Sequence, residues 1–179
     1  MKSENNNLRE RIKTQIVINN SGIVLLGPFL EVLFSKLNLL EGRIFKDISA
    51  QKKAILSLHF AVTGQSKMPE NEDFSLLKIL CGLYPDEIIE IDIELTIEDE
   101  KLIESLLENV IKRWGTIKTT SISGFRETFL QRSGDLTEDK EAYVLLIDKK
   151  PFDVLLESVP WSYKSLKIAR MLKLVVISW

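Results

Sequence analysis

The sequence predicts an α+β fold: a helical N-terminal two-thirds of about five helices, packed with a small, mostly antiparallel C-terminal sheet. Two observations predict it. Apolar residues recur at steps of three and four through the first two-thirds, most regularly at Ile103, Leu106, Leu107, Val110, Ile111 and Trp114. Beyond residue 140 the apolar runs become short and strand-like, as in "YVLLI" (143–147) and "KLVVISW" (173–179). At 179 residues the chain is the size of one domain, and no Pro-, Gly- or Ser-rich linker divides it. The expected division is a flexible tail over residues 1–15 and a single domain over 16–179.

The elements follow in order. The opening "MKSENNNLRERI" is polar and frays, and "QIVI" (15–18) is a short extended or helical lead-in. In "NNSGIVLLGPFL" (19–30), Asn19, Asn20 or Ser21 supplies a helix N-cap through its side-chain oxygen. Pro28 has no N–H for the carbonyl of Val24, so this helix kinks there or restarts with Pro28 near its first turn. It ends by Gly42. A second helix spans about residues 49–63, with Ala54, Ile55, Leu58, Ala61 and Val62 on one side and Gly64 as its stop. A third covers about residues 72–81 and ends at Gly82.

"LYPDEIIEIDIEL" (83–95) is an acidic connector with strand-like alternation at Ile89, Ile91, Ile93 and Leu95. The clearest helix begins at Thr96, where Thr96 and Asp99 approximate a capping box, and Gly115 stops it. A short helix follows over about residues 123–131. The polar turn "SGDLTEDKE" (133–141) leads to the strand at 143–147, and "FDVLLES" (152–158) has short-helix spacing. "SLKIA" (165–169) and "KLVVISW" close the sheet.

Composition bounds the function. With 24 Lys and Arg against 26 Asp and Glu, the net charge of −2 gives no basic excess for a nucleic-acid partner. The apolar run 23–40 is 18 residues long but contains Glu31, Lys36 and Asn38, and a membrane-central charge costs roughly 2.5 to 3.5 kcal/mol. A secretion signal fits no better, since residues 1–15 mix Glu4 and Glu10 with bases and no A-x-A-like site follows. The run therefore reads as a buried central helix, without membrane insertion. Charge is uneven along the chain. Residues 86–108 hold ten acids and one base, whereas residues 161–179 hold Lys164, Lys167, Arg170 and Lys173 and no acidic side chain. These segments are either solvated faces or surfaces that steer assembly between subunits.

The search for reacting groups names no catalytic, cofactor-binding or metal residue. His59 is the only histidine and sits mid-helix between Leu58 and Phe60, the setting of a satisfied core histidine. Cys81 is the only cysteine, so no internal disulfide or cysteine-rich metal site can form. The alternating acids from Asp135 to Glu141 fail the calcium-loop pattern, with Lys140 where Gly and Leu146 where Glu would be needed. Neither phosphate-cradling glycine pattern occurs. Trp114, Trp161 and Trp179 read as core side chains with satisfied N–H groups, or as an interface hot spot.

Six stretches in order carry a resemblance: "VINNSGIVLLGPFLEVLF" (17–34), "AVTG" (61–64), "ILCGL" (79–83), "SISGFRETFLQRSG" (121–134), "FDVLLESVPWSYKSLKI" (152–168) and "VISW" (176–179). Together they resemble the C-terminal domain of the tape-measure proteins of contractile injection systems, phage-tail-like particles with a sheath, an inner tube and a baseplate. The signature residues are Asn19, Asn20, Gly22, Pro28, Phe29, Gly64, Cys81, Gly82, Phe125, Arg126, Phe129, Arg132, Phe152, Asp153, Pro160, Trp161 and Trp179, all expected to be structural. "ARML" (169–172) departs from the family pattern, lacking the Pro and aromatic residue expected near there.

The resemblance implies a non-enzymatic structural and assembly protein, an anchoring or capping domain linked to control of inner-tube and sheath length. Its implied partners are protein components of the particle (inner tube, baseplate or spike), with no cofactor, no nucleic acid and a cytoplasmic, particle-associated location. A helix of 179 residues would span only about 270 Å, so this chain is not itself a long ruler. It is expected to be a fragment, a minimal homologue or an accessory. A soluble adaptor or chaperone of another large complex is the alternative, and a small hydrolase using Asp or Glu is a third reading. Pro28→Ala is expected to change stability or helix geometry before any partner affinity. Thermal melts and circular dichroism beside a binding assay check this, and normal folding with selective loss of binding contradicts it.

Overall fold

A computed structural model describes residues 15–70 and 72–179. Most of the expected 1–15 tail lies outside the described residues; Gln15 opens the first strand, β1 (Gln15–Ile18). A 3-10 helix, Ser21–Phe29, follows, and the chain relaxes into α1 (Leu30–Lys36). Seven residues of the 3-10 helix, Ser21 to Gly27 in sequence, are buried. No side chain caps it: the Ser21 N–H instead donates to the Arg132 carbonyl at 2.9 Å, and the Asn20 amide donates to the Asp73 carbonyl. Backbone partners thus replace the side-chain cap that the amides suggested. α1 stops at Lys36, and a two-stranded hairpin follows, β2 (Leu40–Glu41) and β3 (Ile44–Phe45), turning through Gly42 at φ +63°.

α2 (Ile48–Thr63) begins at Asp47, whose carboxylate accepts the Ala50 N–H at 2.7 Å. It ends at Gly64, which adopts φ +74°, a conformation that costs glycine little and other residues more. α3 (Ser75–Leu80) is shorter than the helix expected over 72–81. The alternation in 83–95 is present as alternating burial, yet that segment forms no strand. Ile89, Ile91 and Leu95 rest on the core, and Lys52 of α2 pairs with Asp92 at 2.6 Å. α4 (Ile97–Arg113) carries the expected capping box in full. Thr96 Oγ1 accepts the Asp99 N–H at 3.1 Å, and Asp99 accepts the Thr96 N–H at 2.9 Å. Lys53 reaches the same carboxylate at 2.7 Å and ties α2 to α4.

A 3-10 turn, Gly115–Ile117, leads to α5 (Ile122–Phe125), which widens into a π-helical turn, Arg126–Leu130. Then come β4 (Gly134–Glu138), β5 (Ala142–Ile147), a 3-10 helix Pro151–Ser158, β6 (Ser165–Leu166) and β7 (Leu174–Ser178). The large sheet has the order β1-β4-β5-β7-β6. β1 pairs antiparallel with β4, β4 with β5, and β6 with β7, whereas β5 and β7 run parallel.

The expected helical N-terminal two-thirds with a separate C-terminal sheet is therefore incorrect. Strands begin at residue 15, β1 belongs to the same sheet as β7, and the sheet is mixed. The "SGDLTEDKE" turn likewise contains β4. Its acids conceal a strand whose inward positions, Gly134 and Leu136, are buried while its outward positions are polar or partly exposed. The inner face of the sheet presents Ile18, Leu136, Tyr143, Leu145, Ile147, Val175 and Ile177 to one hydrophobic cluster shared with the helices. Its outer face leaves Val17, Leu146 and Val176 exposed.

The tightest approach joins the first 3-10 helix to the π-helical turn. A Cβ added to Gly22 would lie 1.7 Å from the Phe129 carbonyl oxygen and 2.7 Å from Leu130 Cα, both backbone atoms. Neither can yield without moving its segment. Gly22→Ala is accordingly expected to cost about 3 kcal/mol or more. Denaturant unfolding checks this, and a loss below about 1 kcal/mol would show that the two segments separate easily.

Candidate functional site

Gly22, Phe29, Gly64, Phe125, Arg126, Phe129, Arg132, Phe152, Asp153, Trp161 and Trp179 meet at the junction between the first 3-10 helix, the C-terminus of α2 and the chain from 121 to 179. The last turn of any helix leaves carbonyls without intrahelical donors. Here Arg126 Nε donates to the Ala61 carbonyl at 3.0 Å and its Nη2 to that of Phe60 at 3.2 Å, while Gln131 donates to Val62 at 3.0 Å. A guanidinium at this end also matches the sign of the helix dipole. Gly64 makes room for it, since a Cβ there would sit 2.9 Å from Arg126 Nη1. Burial lowers the pKa of Arg126 and Glu104, 3.8 Å away, opposes that shift.

Arg132 forms the second anchor. It is 2% exposed, donates to both Asp153 oxygens at 2.7 and 2.9 Å and to the Asp148 carbonyl, and lies over the rings of Phe152 and Trp179. Burial acts to raise the Asp153 pKa, but hydrogen bonds from Arg132 and the Lys150 N–H outweigh it and hold the carboxyl below its ordinary value. One ion pair thus fixes the start of the 3-10 helix Pro151–Ser158 to the end of the π-helical turn.

Aromatic rings fill the space between. Trp114 packs against Phe125, Phe129 and Trp161, and Trp161 meets Phe29 edge-on at 5.0 Å. Both indoles are satisfied, Trp114 by Ser158 Oγ at 2.8 Å and Trp161 by the Leu25 carbonyl at 3.0 Å. Of the remaining signature residues, Asn19 accepts from Ser133, Pro28 and Pro160 are exposed, and Gly82 turns at φ +82° beside fully buried Cys81, whose thiol burial pushes far up. "ARML" supplies Arg170, buried between the rings of Phe34 and Phe45 at 5.1 Å from each.

Sequence reasoning missed a cleft of about 340 Å³ beside this junction, between β1, α2 and α3. Asn19, Asn20, His59, Thr63, Glu72, Asp73, Gln131 and Ser133 give it polar walls, and Val17, Val62 and Leu77 apolar ones. His59 is a buried helix residue as expected, but it also borders this cleft, 3.8 Å from Glu72. Burial lowers its pKa below 6.5 and Glu72 opposes the shift. Only the amide pair before an apolar run hinted at the cleft, and those amides read as helix caps instead. Among the described residues no group of three or more His, Cys, Asp and Glu is placed to hold a metal ion. Among the described residues, hydrogen bonds from Lys52, Lys53 and Arg132 hold the carboxyls of Asp92, Asp99 and Asp153 below their ordinary range.

Fold and junction together define a mixed α/β domain whose distinguishing residues bind its own backbone. The chain belongs to the contractile injection system tape measure protein family, whose pattern it matches over residues 1–179. No curated protein and no solved structure matches it. No helix among the described residues is long and apolar enough to cross a membrane.

Arg132→Met strips a buried partner from Asp153 and is expected to lose about 3 kcal/mol in denaturant unfolding. Because the folded-state pKa of Asp153 is depressed, its contribution is complete above about pH 4 and disappears as the pH falls through the lowered value. Asp153→Asn should therefore flatten the acid limb of the stability curve, and an unchanged limb would contradict this coupling.

Proposed function

We propose that this chain is a non-enzymatic assembly part of a contractile injection particle, an anchoring or capping domain that helps to control inner-tube and sheath length. The observation that carries this reading is the match to the tape measure family across residues 1–179. The junction supports it: Arg126, Gln131, Arg132 and Asp153 are engaged by backbone carbonyls or by one another. Such groups serve cohesion, which a part under mechanical load in an assembly requires. Residues 16–179 act as one domain on this reading, and the signature residues are structural.

The partners are then protein components of the particle, its inner tube, baseplate or spike, met in the cytoplasm during assembly. The uneven charge offers complementary surfaces for such contacts. Purification of tagged protein from its native host should bring down tube or baseplate components, identified by mass spectrometry. Deletion of the gene should change particle yield or length in electron micrographs. Particles of normal number and length would overturn the reading.

A further inference from the structure

We propose that residues 88–95 are a strand that lacks a ladder, and that they pair edge to edge with β6 of a second copy of this chain. The inference goes beyond the assembly role proposed above and does not rest on it. The chain runs without turn or bend over residues 87–96. Ile89, Ile91, Ile93 and Leu95 are half-buried, while Ile88, Glu90, Asp92 and Glu94 are exposed. A period of two belongs to a strand with one covered face, and β-branched isoleucine is a side chain that strands favour. Yet no backbone N–H or carbonyl of residues 88–95 makes a hydrogen bond among the described residues. Water can satisfy these groups in the free chain. A row of unpaired groups on extended backbone is also the template to which another strand adds. Ile88 is 98% exposed on the open side, where a neighbouring strand would cover it.

Charge selects the occupant. Glu90, Asp92 and Glu94 share the exposed side of the segment; Lys52 engages Asp92, whereas Glu90 and Glu94 have no ion-pair partner among the described residues. The matching edge is β6, which ends the large sheet. The Ile177 N–H donates to the Lys164 carbonyl at 2.9 Å, and Ser165 lies opposite Val176. Backbone groups alternate between the two sides of an antiparallel strand, so those of Ser165, and of Lys167 beyond it, point away from β7. Exposed Lys164 and Lys167 flank this edge, and residues 161–179 carry no acidic side chain. Lys167 donates to the Met171 carbonyl, which leaves its charge unneutralised. β1, the opposite edge of the sheet, has no charged side chain over Gln15–Ile18.

No hydrogen bond or ion pair among the described residues joins these two stretches within one chain. Paired between copies, they bring opposite charges onto neighbouring strands, where facing side chains lie about 5 Å apart. The two surfaces differ, so each copy keeps one of them free and the contact repeats head to tail.

The test is sedimentation velocity of the whole chain over a concentration series at low and high salt. Self-association is expected at low salt and should weaken roughly tenfold or more towards 1 M salt, where the screening length falls to about 3 Å. Glu90→Lys with Glu94→Lys, and Lys164→Glu with Lys167→Glu, change exposed positions. Each pair should leave the circular dichroism spectrum unchanged and abolish self-association. Mixed in equal amounts, the two variants should associate again, because each then meets an edge of opposite sign. Hydrogen exchange of the unaltered chain separates strand pairing from charge attraction alone. Amides within residues 88–95 should exchange freely in the dilute monomer and roughly tenfold or more slowly in the assembled state. A chain that stays monomeric at every concentration at low salt, variants that associate like the unaltered chain, a mixture that does not recover, or amides that stay unprotected on assembly would each overturn the pairing. These measurements involve no particle component, so their failure leaves the assembly role standing, and loss of the assembly phenotype leaves the pairing standing.

Discussion

The structure depends on two backbones meeting without a side chain between them. At Gly22 the first 3-10 helix lies on the π-helical turn Arg126–Leu130 so closely that a single methyl group would overlap the Phe129 carbonyl. The Ser21 N–H to Arg132 carbonyl bond continues the β1–β4 ladder into this contact. Both segments depart from regular α-helix, one wound tighter and one wider. Such departures persist where the surrounding packing over-determines them. Here Arg126 and Gln131 hold the π-helical turn to the end of α2, while Trp161 holds the 3-10 helix through the Leu25 carbonyl.

This arrangement explains which parts of the fold the sequence makes legible. α2 and α4 have a complete local grammar: an oxygen-bearing cap, a periodic apolar face and, for α2, a glycine in the left-handed conformation. The 3-10 helix has none of this. It is apolar on every side because it is central, so periodicity has no contrast to report and cannot distinguish one winding from another. β4 was concealed for the opposite reason, since Asp135 and Thr137 on its outer face and Glu138 at its exposed end look like turn residues. β1, β2 and β3 are two to four residues long, too short for periodicity to show, and the partner of β1 lies over a hundred residues away.

The residues of the junction were readable as a set before their contacts were. "SISGFRETFLQRSG" carries both the capping arginine and the buried one, six residues apart on a turn that widens between them. Nothing local in that string says that Arg126 finishes a helix whose carbonyls lie 65 and 66 residues earlier in sequence, or that Arg132 waits for Asp153. Long-range pairing of this kind is a property of the closed fold. The cleft was hidden in the same way, assembled from three separate stretches of the chain: β1, the α2–α3 pair and the turn after Leu130.

The parallel pairing of β5 with β7 sets an order of events. β7 is the last of the sheet's strands in sequence order, yet it lies inside the sheet, between β5 and β6. As the polypeptide is synthesised, β5 therefore keeps one edge unpaired until residues 174–178 emerge, and an unpaired edge is where strands of other chains add. Closure must also draw in the crossover that carries Asp153 and Trp161, so the ion pair and the aromatic stack form with the sheet. A nascent chain is consequently exposed to wrong pairing along β5 until β7 docks.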